Sequence, residues 1–475
     1  MMKHYKQSYI RGEWQEVKPV ATLVIHDSFT EEPLAEVALA GAADVQLAVA
    51  AAREAFDSWS RTPVAQRTAL LRRVGEELAQ EADALAELVT REVGMPLKLS
   101  KRIQVQGPIA AWGAYADIAD GFAFETTVKN SLVTQEPVGV VACITPWNYP
   151  LHQITAKVAP ALAAGCTVVL KPSEMAPASA YALAHAIDRA GFPPGVFNLL
   201  VGDGPLAGEA LVAHAEVDMV SFTGSTAAGK RVASIAGTGI KRVALELGGK
   251  SPSIVLPDAD IALAMKHALG ACFLNSGQTC TAITRVLVPS ARYEECMGLL
   301  KVGATAFAMG DPLDPSTRLG PLVSREQRDR VMTYVDQAVG DGAQLVAGKN
   351  PETVMPAKGY FVAPTVLGNV HPDAKIAQEE VFGPVLSVIV YADEDEAVRI
   401  ANNTSYGLAA AVWSDDRNHA LGIAKRLRAG QIDINGAPFN SAAPFGGFKR
   451  SGVGRENGIF GLEEFLEPRA IQLPI

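Results

Sequence analysis

The stretch VGVVACITPWNYPLHQITAKVAPALAAGCTVVL, residues 138–170, contains the pattern that decides the fold. A short run rich in β-branched residues (138–144) is followed by an alanine-rich helical segment (154–164). After Gly165 a second β-rich run follows (167–170). Two such runs joined through a helix predict parallel strands, because a parallel pair needs a long crossover connection.

The same alternation continues downstream. Helical segments are predicted at residues 178–190, 205–212 and 227–236, and strands at 196–201, 217–222 and 242–245. Three amphipathic helices are predicted upstream, at residues 44–59, 64–80 and 82–93. After Gly248 a second α/β segment begins, in which a helix over 260–274 leads towards Cys280. The pattern indicates parallel sheets covered by helices, where ligands bind at the carboxyl ends of the strands.

Composition narrows the class of protein. A chain of 475 residues exceeds one hydrophobic core, so two or more domains are expected. The formal net charge of −9 argues against a nucleic-acid partner. No apolar run is long enough to span a membrane, and no signal peptide is evident. The five irregularly spaced cysteines predict reduced thiols, a cytoplasmic location and no metal site.

Cys280 is the candidate nucleophile. It ends the polar turn Asn275-Ser276-Gly277-Gln278-Thr279-Cys280, whereas the other four cysteines lie in apolar or helical surroundings typical of buried filler. Glu246 opens the segment Glu246-Leu247-Gly248-Gly249-Lys250, 34 residues earlier. A thiol in a reachable turn and a carboxylate fixed by its own glycine turn are what covalent thiol catalysis requires.

Two tetrapeptides at predicted strand ends are suited to a nucleotide. Phe222-Thr223-Gly224-Ser225 opens a helix, whose free amides and one hydroxyl would bind a pyrophosphate. Lys171-Pro172-Ser173-Glu174 offers a cation and a carboxylate, and the carboxylate would accept both ribose hydroxyls and repel a 2′-phosphate. Either tetrapeptide alone is more often an ordinary polar loop.

Together the motifs resemble those of the NAD(P)-dependent aldehyde dehydrogenase superfamily, and the resemblance runs nearly the whole chain. Each motif is weak to moderate alone, and seven in family order are highly specific. They are Pro146-Trp147-Asn148-Tyr149-Pro150, Lys171-Pro172-Ser173-Glu174, Phe222-Thr223-Gly224-Ser225, Glu246-Leu247-Gly248-Gly249-Lys250, Gly277-Gln278-Thr279-Cys280, Glu380-Val381-Phe382-Gly383-Pro384 and Pro444-Phe445-Gly446-Gly447-Phe448-Lys449.

The resemblance implies a catalytic role for four residues. Cys280 would attack the aldehyde, while the side-chain amide of Asn148 and the backbone amide of Cys280 would stabilise the oxyanion. Glu246 would activate the water that hydrolyses the resulting thioester. Lys157 belongs to the same implied catalytic set.

The resemblance also implies a cofactor site for NAD, with NADP as the alternative. Lys171 and Glu174 match adenosine-ribose positions, and Glu380 matches the carboxylate on the nicotinamide ribose. The full implied set is Trp147, Lys171, Ser173, Glu174, Gly204, Pro205, Thr223, Gly224, Ser225, Leu247, Glu380 and Phe382.

Five further residues are placed around the substrate tunnel by the same resemblance: Tyr149, Gln153, Phe273, Phe439 and Phe445. These side chains are aromatic or uncharged, which favours an apolar aliphatic or aromatic aldehyde as the substrate. No arginine is evident among them, and this weakens the case for a semialdehyde with a distal carboxylate.

The implied fold is α/β, with a Rossmann-like parallel-sheet cofactor domain, an α/β catalytic domain and a small β oligomerisation arm. The expected bounds are 1–118 with 138–248 for the cofactor domain and 249–446 for the catalytic domain. The arm would comprise 119–137 and 447–475 and include a hairpin at 126–136. A homodimer or homotetramer is expected, in which a strand over 470–475 pairs with a neighbouring subunit.

Two alternatives remain open. One is an acylating dehydrogenase that passes the thioester to coenzyme A, a branch that tends to lack the glutamate at the position of Glu246. The other is a catalytically silent structural relative. The joint presence of Cys280, Asn148, Glu246 and Glu380 argues against the silent relative.

Overall fold

A computed structural model describes residues 2–348 and 353–474 of the chain. Its strands are β1 Lys3–Tyr5, β2 Gln7–Ile10, β3 Glu13–Glu16, β4 Ala21–His26, β5 Pro33–Leu39, β6 Glu125–Val128, β7 Ser131–Pro137, β8 Val140–Ile144, β9 Thr167–Lys171, β10 Phe197–Leu199, β11 Met219–Thr223, β12 Arg242–Glu246, β13 Ser251–Val255, β14 Ile283–Pro289, β15 Gln344–Ala347, β16 Thr365–Gly368, β17 Val385–Tyr391, β18 Ala409–Trp413, β19 Gln431–Ile434, β20 Gly452–Val453 and β21 Leu466–Gln472.

Helices cover both large sheets. They are α1 Ala42–Trp59, α2 Val64–Gln80, α3 Ala82–Val93, α4 Leu97–Leu99, α5 Gly107–Gly121, α6 Pro150–Ala164, α7 Ala178–Ala190, α8 Glu209–Ala213, α9 Thr226–Thr238, α10 Ile261–Phe273, α11 Tyr293–Ala304, α12 Arg325–Gly340, α13 Lys375–Gln378, α14 Glu394–Asn402, α15 Arg417–Ala424 and α16 Gly458–Glu463. In the described part of the chain, none is both long and apolar enough to cross a membrane.

The first sheet has eight strands in the order β20-β12-β11-β8-β9-β10-β2-β3. Its five central strands are parallel, as the sequence predicts, with β8 and β9 paired from Val140 opposite Thr167 onwards. Helix α6 makes the crossover between these two strands and is buried along nearly its whole length. Gly165 ends it in the left-handed conformation (φ 99°), which a residue without a Cβ adopts readily.

The second sheet has seven strands in the order β15-β16-β17-β14-β13-β18-β19, all parallel except for β15. Helix α10 packs on it and delivers the chain to the turn that carries Cys280, directly before β14. Glu246 is the last residue of β12 in the first sheet. The two predicted catalytic residues therefore come from different sheets and meet where the sheets adjoin.

The third sheet is a small antiparallel one in the order β21-β7-β6. The hairpin expected at 126–136 forms β6 and β7. The C-terminal strand expected at 470–475 instead begins at Leu466 and ends at Gln472. It pairs with β7 of its own chain over seven positions, from Leu466 opposite Pro137 to Gln472 opposite Ser131. In this structure the strand therefore has its partner within the same chain. Ile475 lies outside the described residues.

Several other predicted boundaries differ from the structure. The strand expected at 196–201 is only Phe197–Leu199, and the helix expected at 205–212 begins as the π-helical turn Gly204–Gly208, capped by Asp203 through Leu206 N at 2.7 Å. Gly452–Val453, which the predicted arm included, instead adds β20 to the first sheet. Ser451 anchors it there, since its hydroxyl donates to the Gly248 carbonyl at 2.7 Å. The predicted domain bounds otherwise remain a prediction.

Candidate active site

The turn before Cys280 has a strained backbone. Asn275 and Ser276 have φ values of 50° and 55°, a region that non-glycine residues rarely adopt, and Gly277 follows at 77°. A Cβ on Gly277 would lie 2.0 Å from the carbonyl oxygen of Gly383. The Ser276 hydroxyl donates to the carbonyl of Gly320 at 2.7 Å. These contacts hold the turn in one conformation and fix the position of the thiol.

The amide of Asn148 is held against this turn. Its Nδ2 donates to the carbonyl of Gln278 at 3.0 Å. The backbone carbonyl of Asn148 accepts from the side chains of Gln104 at 2.9 Å and Asn275 at 3.0 Å. The fold thus joins residues from two distant parts of the sequence and places an amide donor beside the cysteine turn.

Cys280 is distinguished from the other cysteines by its exposure. The other four are buried, whereas Cys280 is partly exposed. Burial of the sulfur raises the pKa of the Cys280 thiol to about 12, with further contributions from the negative charges of Glu380 and Glu246. The thiol is therefore protonated at neutral pH in this state, and forming the thiolate requires a proton acceptor.

Glu246 is buried at the end of β12, with only 4% of its surface exposed. Neither of its carboxylate oxygens has a hydrogen-bond partner among the described residues. A Cβ on Gly446 would lie 2.6 Å from Oε1, so the absence of a side chain there leaves room for the carboxylate. Burial first and the charge of Glu456 second raise the pKa of Glu246 well above its usual range, while Lys157 opposes the shift.

Lys157 forms a buried ion pair with Glu456, a residue that the sequence analysis missed. The lysine stands on α6, among residues that are almost all apolar and buried. A buried ammonium requires a counter-ion. That requirement could have predicted an acidic partner for Lys157, although the sequence alone does not say which carboxylate supplies the charge.

The adenosine end of the predicted cofactor site lies at the carboxyl end of β9. The buried ammonium of Lys171 donates to the carbonyls of Gly202 and Pro172 and lies 3.5 Å from Glu174 Oε2. Burial lowers the pKa of Lys171, and Glu174 partly offsets this effect. The Ser173 hydroxyl accepts from Met175 N at 3.3 Å. Lys171 and Glu174 thus lie side by side at the carboxyl end of β9.

The predicted pyrophosphate site lies at the end of β11, which is separated from β9 by β8 in the sheet. Thr223 is buried, and its hydroxyl oxygen has no hydrogen-bond partner among the described residues. Ser225 caps α9 by accepting from Ala228 N at 3.2 Å, and Gly224 connects the two. A buried hydroxyl without a partner beside a helix start suits a phosphate oxygen. Gly204 and Pro205 open the nearby π-helical turn.

The nicotinamide end of the predicted site is built around Glu380. Its Oε1 accepts from Gly249 N at 3.1 Å, and a Cβ on Gly248 would lie 2.3 Å from Oε2. Burial raises the pKa of Glu380, while the Gly249 hydrogen bond opposes the shift. The ring of Phe382 lies edge-on to Trp147, with 5.5 Å between ring centroids. Leu247 packs against Gly229 of α9, where a Cβ would lie 2.4 Å from it.

The residues expected around the substrate tunnel differ in their surroundings. The hydroxyl of Tyr149 lies 2.7 Å from that of Thr279, next to the nucleophile. Phe439 is 53% exposed, and its ring centroid lies 6.2 Å from that of Phe445. Gln153 is buried with no partner for Oε1 among the described residues. The ring of Phe273 is 1% exposed and packs edge-on against Phe307 at 5.0 Å.

No group of three or more histidine, cysteine, aspartate or glutamate side chains that could hold a metal ion occurs in residues 2–348 and 353–474.

Comparison with known proteins identifies the architecture. A model of the aldehyde dehydrogenase family matches residues 14–471. The chain belongs to the aldehyde dehydrogenase family. Among curated relatives of this family, 3-succinoylsemialdehyde-pyridine dehydrogenase of a Pseudomonas species is 46% identical over 471 residues, which are 99% of each chain.

Solved structures of aldehyde dehydrogenases have the same fold. Aldehyde dehydrogenase C of Pseudomonas syringae, a cysteine-to-alanine variant complexed with NAD+ and octanal, superimposes with a TM-score of 0.97. It is 44% identical, and the match covers 98% of this chain and 96% of that one. An aldehyde dehydrogenase of Mycobacterium tuberculosis complexed with NAD+ has a TM-score of 0.96 and 39% identity, over 100% and 99% of the two chains.

Proposed function

We propose that this aldehyde dehydrogenase oxidises an aldehyde to the carboxylic acid with NAD, through a thiohemiacetal and a thioester on Cys280, and releases the acid by hydrolysis. The observation that carries the proposal is the junction of the strained Cys280 turn with the Asn148 amide and the unpaired carboxylate of Glu246. Nucleophile, oxyanion donor and base thereby occupy one site.

In the first step the Cys280 sulfur bonds to the carbonyl carbon, and the thiol gives up its proton. Asn148 Nδ2 and the backbone amide of Cys280 stabilise the negative oxygen. Because the pKa of the thiol is raised, this proton must pass to a base, and Glu246 is the nearby acceptor. NAD, when bound, supplies the capacity to accept a hydride.

Loss of the hydride from the thiohemiacetal carbon leaves a thioester on Cys280. Glu246 first passes the thiol proton to solvent. A water then attacks the acyl carbon, Glu246 takes the water proton, and the carbon–sulfur bond breaks to release the acid and the Cys280 thiolate, which recovers a proton from Glu246. A glutamate whose pKa is raised binds a proton more strongly and, when ionised, is a stronger base than an ordinary glutamate. The buried pair of Lys157 and Glu456 is positioned to set that pKa.

The cofactor assignment rests on three places in the cleft: Lys171 with Glu174, Thr223 with Ser225, and Glu380. The Glu174 carboxylate favours NAD, because it would repel the 2′-phosphate of NADP. NAD+ complexes of two similar structures, from Pseudomonas syringae and Mycobacterium tuberculosis, support this assignment.

An apolar aldehyde is the proposed substrate at the reacting end. Tyr149 offers aromatic surface beside the cysteine turn, and the octanal complex of the Pseudomonas syringae enzyme is in accord with an apolar substrate. The succinoylsemialdehyde-pyridine relative widens the candidates to aromatic ketoaldehydes.

Product analysis tests the proposal. Purified protein with NAD and octanal should yield NADH and octanoate in equal amounts, without a requirement for coenzyme A. Octanoyl-coenzyme A formed in place of the acid would establish the acylating alternative. No NADH from any aldehyde in a broad panel would establish the silent relative.

We also propose that the protein acts as a cytoplasmic homodimer or homotetramer through the arm. One edge of β21 pairs with β7, and the other edge has no strand partner among the described residues. Deleting residues 470–475 removes three of the paired positions, and light scattering should then report a smaller species. An unchanged oligomer would exclude this strand end from the interface.

A further inference from the structure

A large groove runs beside the catalytic turn, between the segment around Leu99 and helices α10 and α11. Its volume is about 1180 Å³, slightly above the ~300–1,000 Å³ typical of small-molecule pockets. Apolar side chains form its floor. The partly or fully exposed ones are Leu99, Leu274, Leu299, Val302 and Phe307, and the buried Met265, Leu269 and Phe273 lie beneath them. We call it the cationic groove, for the charges described next.

The charges along this groove all have one sign. Five lining residues are lysine or arginine, and no aspartate or glutamate is among those that the structure describes there. Lys101 pairs with Asp83 at 2.8 Å. The other four, Lys98, Arg102, Lys266 and Arg318, form no ion pair within the described residues. Such a cluster is unexpected in a chain whose net charge is −9.

Both walls of the groove adjoin the catalytic asparagine. On one wall, Arg102 and Gln106 flank Gln104, whose side chain donates to the Asn148 carbonyl at 2.9 Å. On the other wall, Leu274 precedes Asn275, whose side chain donates to the same carbonyl at 3.0 Å. The groove thus shares its walls with the two segments that hold the Asn148 carbonyl, and an aldehyde bound in it must extend beyond the lining residues to reach Cys280.

We propose that the cationic groove binds the carboxylate-bearing end of an aliphatic chain, and that aldehydes with a carboxylate remote from the carbonyl are substrates. The apolar floor would contact the methylene groups, and the exposed cations would neutralise the carboxylate. The substrate half of this inference rests on the proposed function. The binding half does not.

The composition of the groove excludes simpler ligands. An uncharged chain would gain nothing from four unpaired cations, and a small hydrophilic anion would leave the apolar floor in water. A positively charged amphiphile would be repelled. The ligand that satisfies both features is an amphiphilic anion.

Equilibrium binding to the Cys280→Ala protein tests the groove without turnover. Dodecanoate should bind more tightly than dodecanol or dodecyltrimethylammonium, and 0.5 M salt should weaken its binding. The double variant Lys266→Ala/Arg102→Ala should raise the Kd of dodecanoate about fivefold or more, since two exposed charge contacts are lost. Lys301→Ala, an exposed lysine of α11 outside the groove, is the matched control and should leave Kd unchanged.

Kinetics test the substrate half. The same double variant, with Cys280 intact, should raise KM for 12-oxododecanoate about fivefold and leave both kcat and the KM for dodecanal unchanged. If dodecanal is oxidised but the double variant changes the KM of the two substrates to the same extent, the substrate half is overturned and the proposed function stands. Failure of all aldehydes would overturn the proposed function, and dodecanoate binding would still decide the groove.

Two outcomes would overturn the binding half. One is equal affinity for dodecanoate and dodecanol, with no effect of Lys266→Ala/Arg102→Ala. The other is a change of oligomeric mass on Val302→Asp, since this 72% exposed residue lines the groove and would then mark a contact between copies of the chain.

Discussion

Glu246 and Glu380 are two carboxylates beside the same thiol, and the protein holds them differently: Glu246 is buried, whereas Glu380 is partly exposed. Glu380 accepts a backbone hydrogen bond from Gly249, whereas Glu246 has no hydrogen-bond partner among the described residues. Both raise the pKa of Cys280, with Glu380 the larger contributor of the two. We propose that one site obtains two functions from one residue type through this difference. A fixed carboxylate can position a ligand, and an unpaired one can exchange protons.

Removal of the thiol should have the largest effect. Cys280→Ala should reduce the oxidation of every aldehyde to background, because no other partly exposed cysteine is present. NAD binding, measured by fluorescence titration, should persist. If aldehyde turnover continues and substrate labels another cysteine, Cys280 is not the nucleophile. The roles given to the two carboxylates beside it are then wrong as well.

Exchange of each carboxylate for its amide should separate their functions. Glu246→Gln should keep a single-turnover burst of NADH and lose about a hundredfold or more in steady-state rate, the scale of a lost general base. Glu380→Gln should slow the burst itself and raise the KM for NAD. Stopped-flow absorbance at the NADH band measures both, and identical kinetics for the two variants would remove the distinction.

The two members of the ion pair next to Glu246 should shift the pKa of Glu246 in opposite directions. Lys157 lowers the pKa of Glu246 and Glu456 raises it. A base works when deprotonated, so the acidic limb of the kcat profile should move to higher pH in Lys157→Met and to lower pH in Glu456→Gln. Thermal unfolding of both variants is the control for the stability lost with the pair. Shifts of the same sign would show that charge is not the cause.

A third carboxylate extends the comparison with the smallest effect. Glu174 is partly exposed and lies 3.5 Å from Lys171 Nζ, so solvent screens the electrostatic interactions of its carboxylate. Glu174→Gln should narrow the preference for NAD over NADP by about fivefold in kcat/KM, equivalent to roughly 1 kcal/mol. Glu216→Gln, which removes an exposed carboxylate outside the implied cofactor set, is the control. A wild-type preference for NADP would contradict the role of Glu174.

The sequence was sufficient for features that depend on neighbouring residues. The alternation around residues 138–170 predicted the parallel strands correctly, because strand and helix periodicity are local properties. The glycine-bearing polar turn identified Cys280 by the same logic. The C-terminal strand was misplaced because its bounds follow from pairing with β7, a partner more than 300 residues away.

The tertiary structure alone decided the electrostatics. Glu456 lies 299 residues from Lys157, and no local pattern links them. The sequence analysis found no cation among the tunnel residues, yet the folded chain gathers Lys98, Arg102, Lys266 and Arg318 from three segments around one groove. Burial, charge and pKa depend on which distant residues come within a few ångströms. The sequence determined the elements and singled out Cys280 as the candidate nucleophile, and packing determined the proton affinities and the surroundings of that thiol.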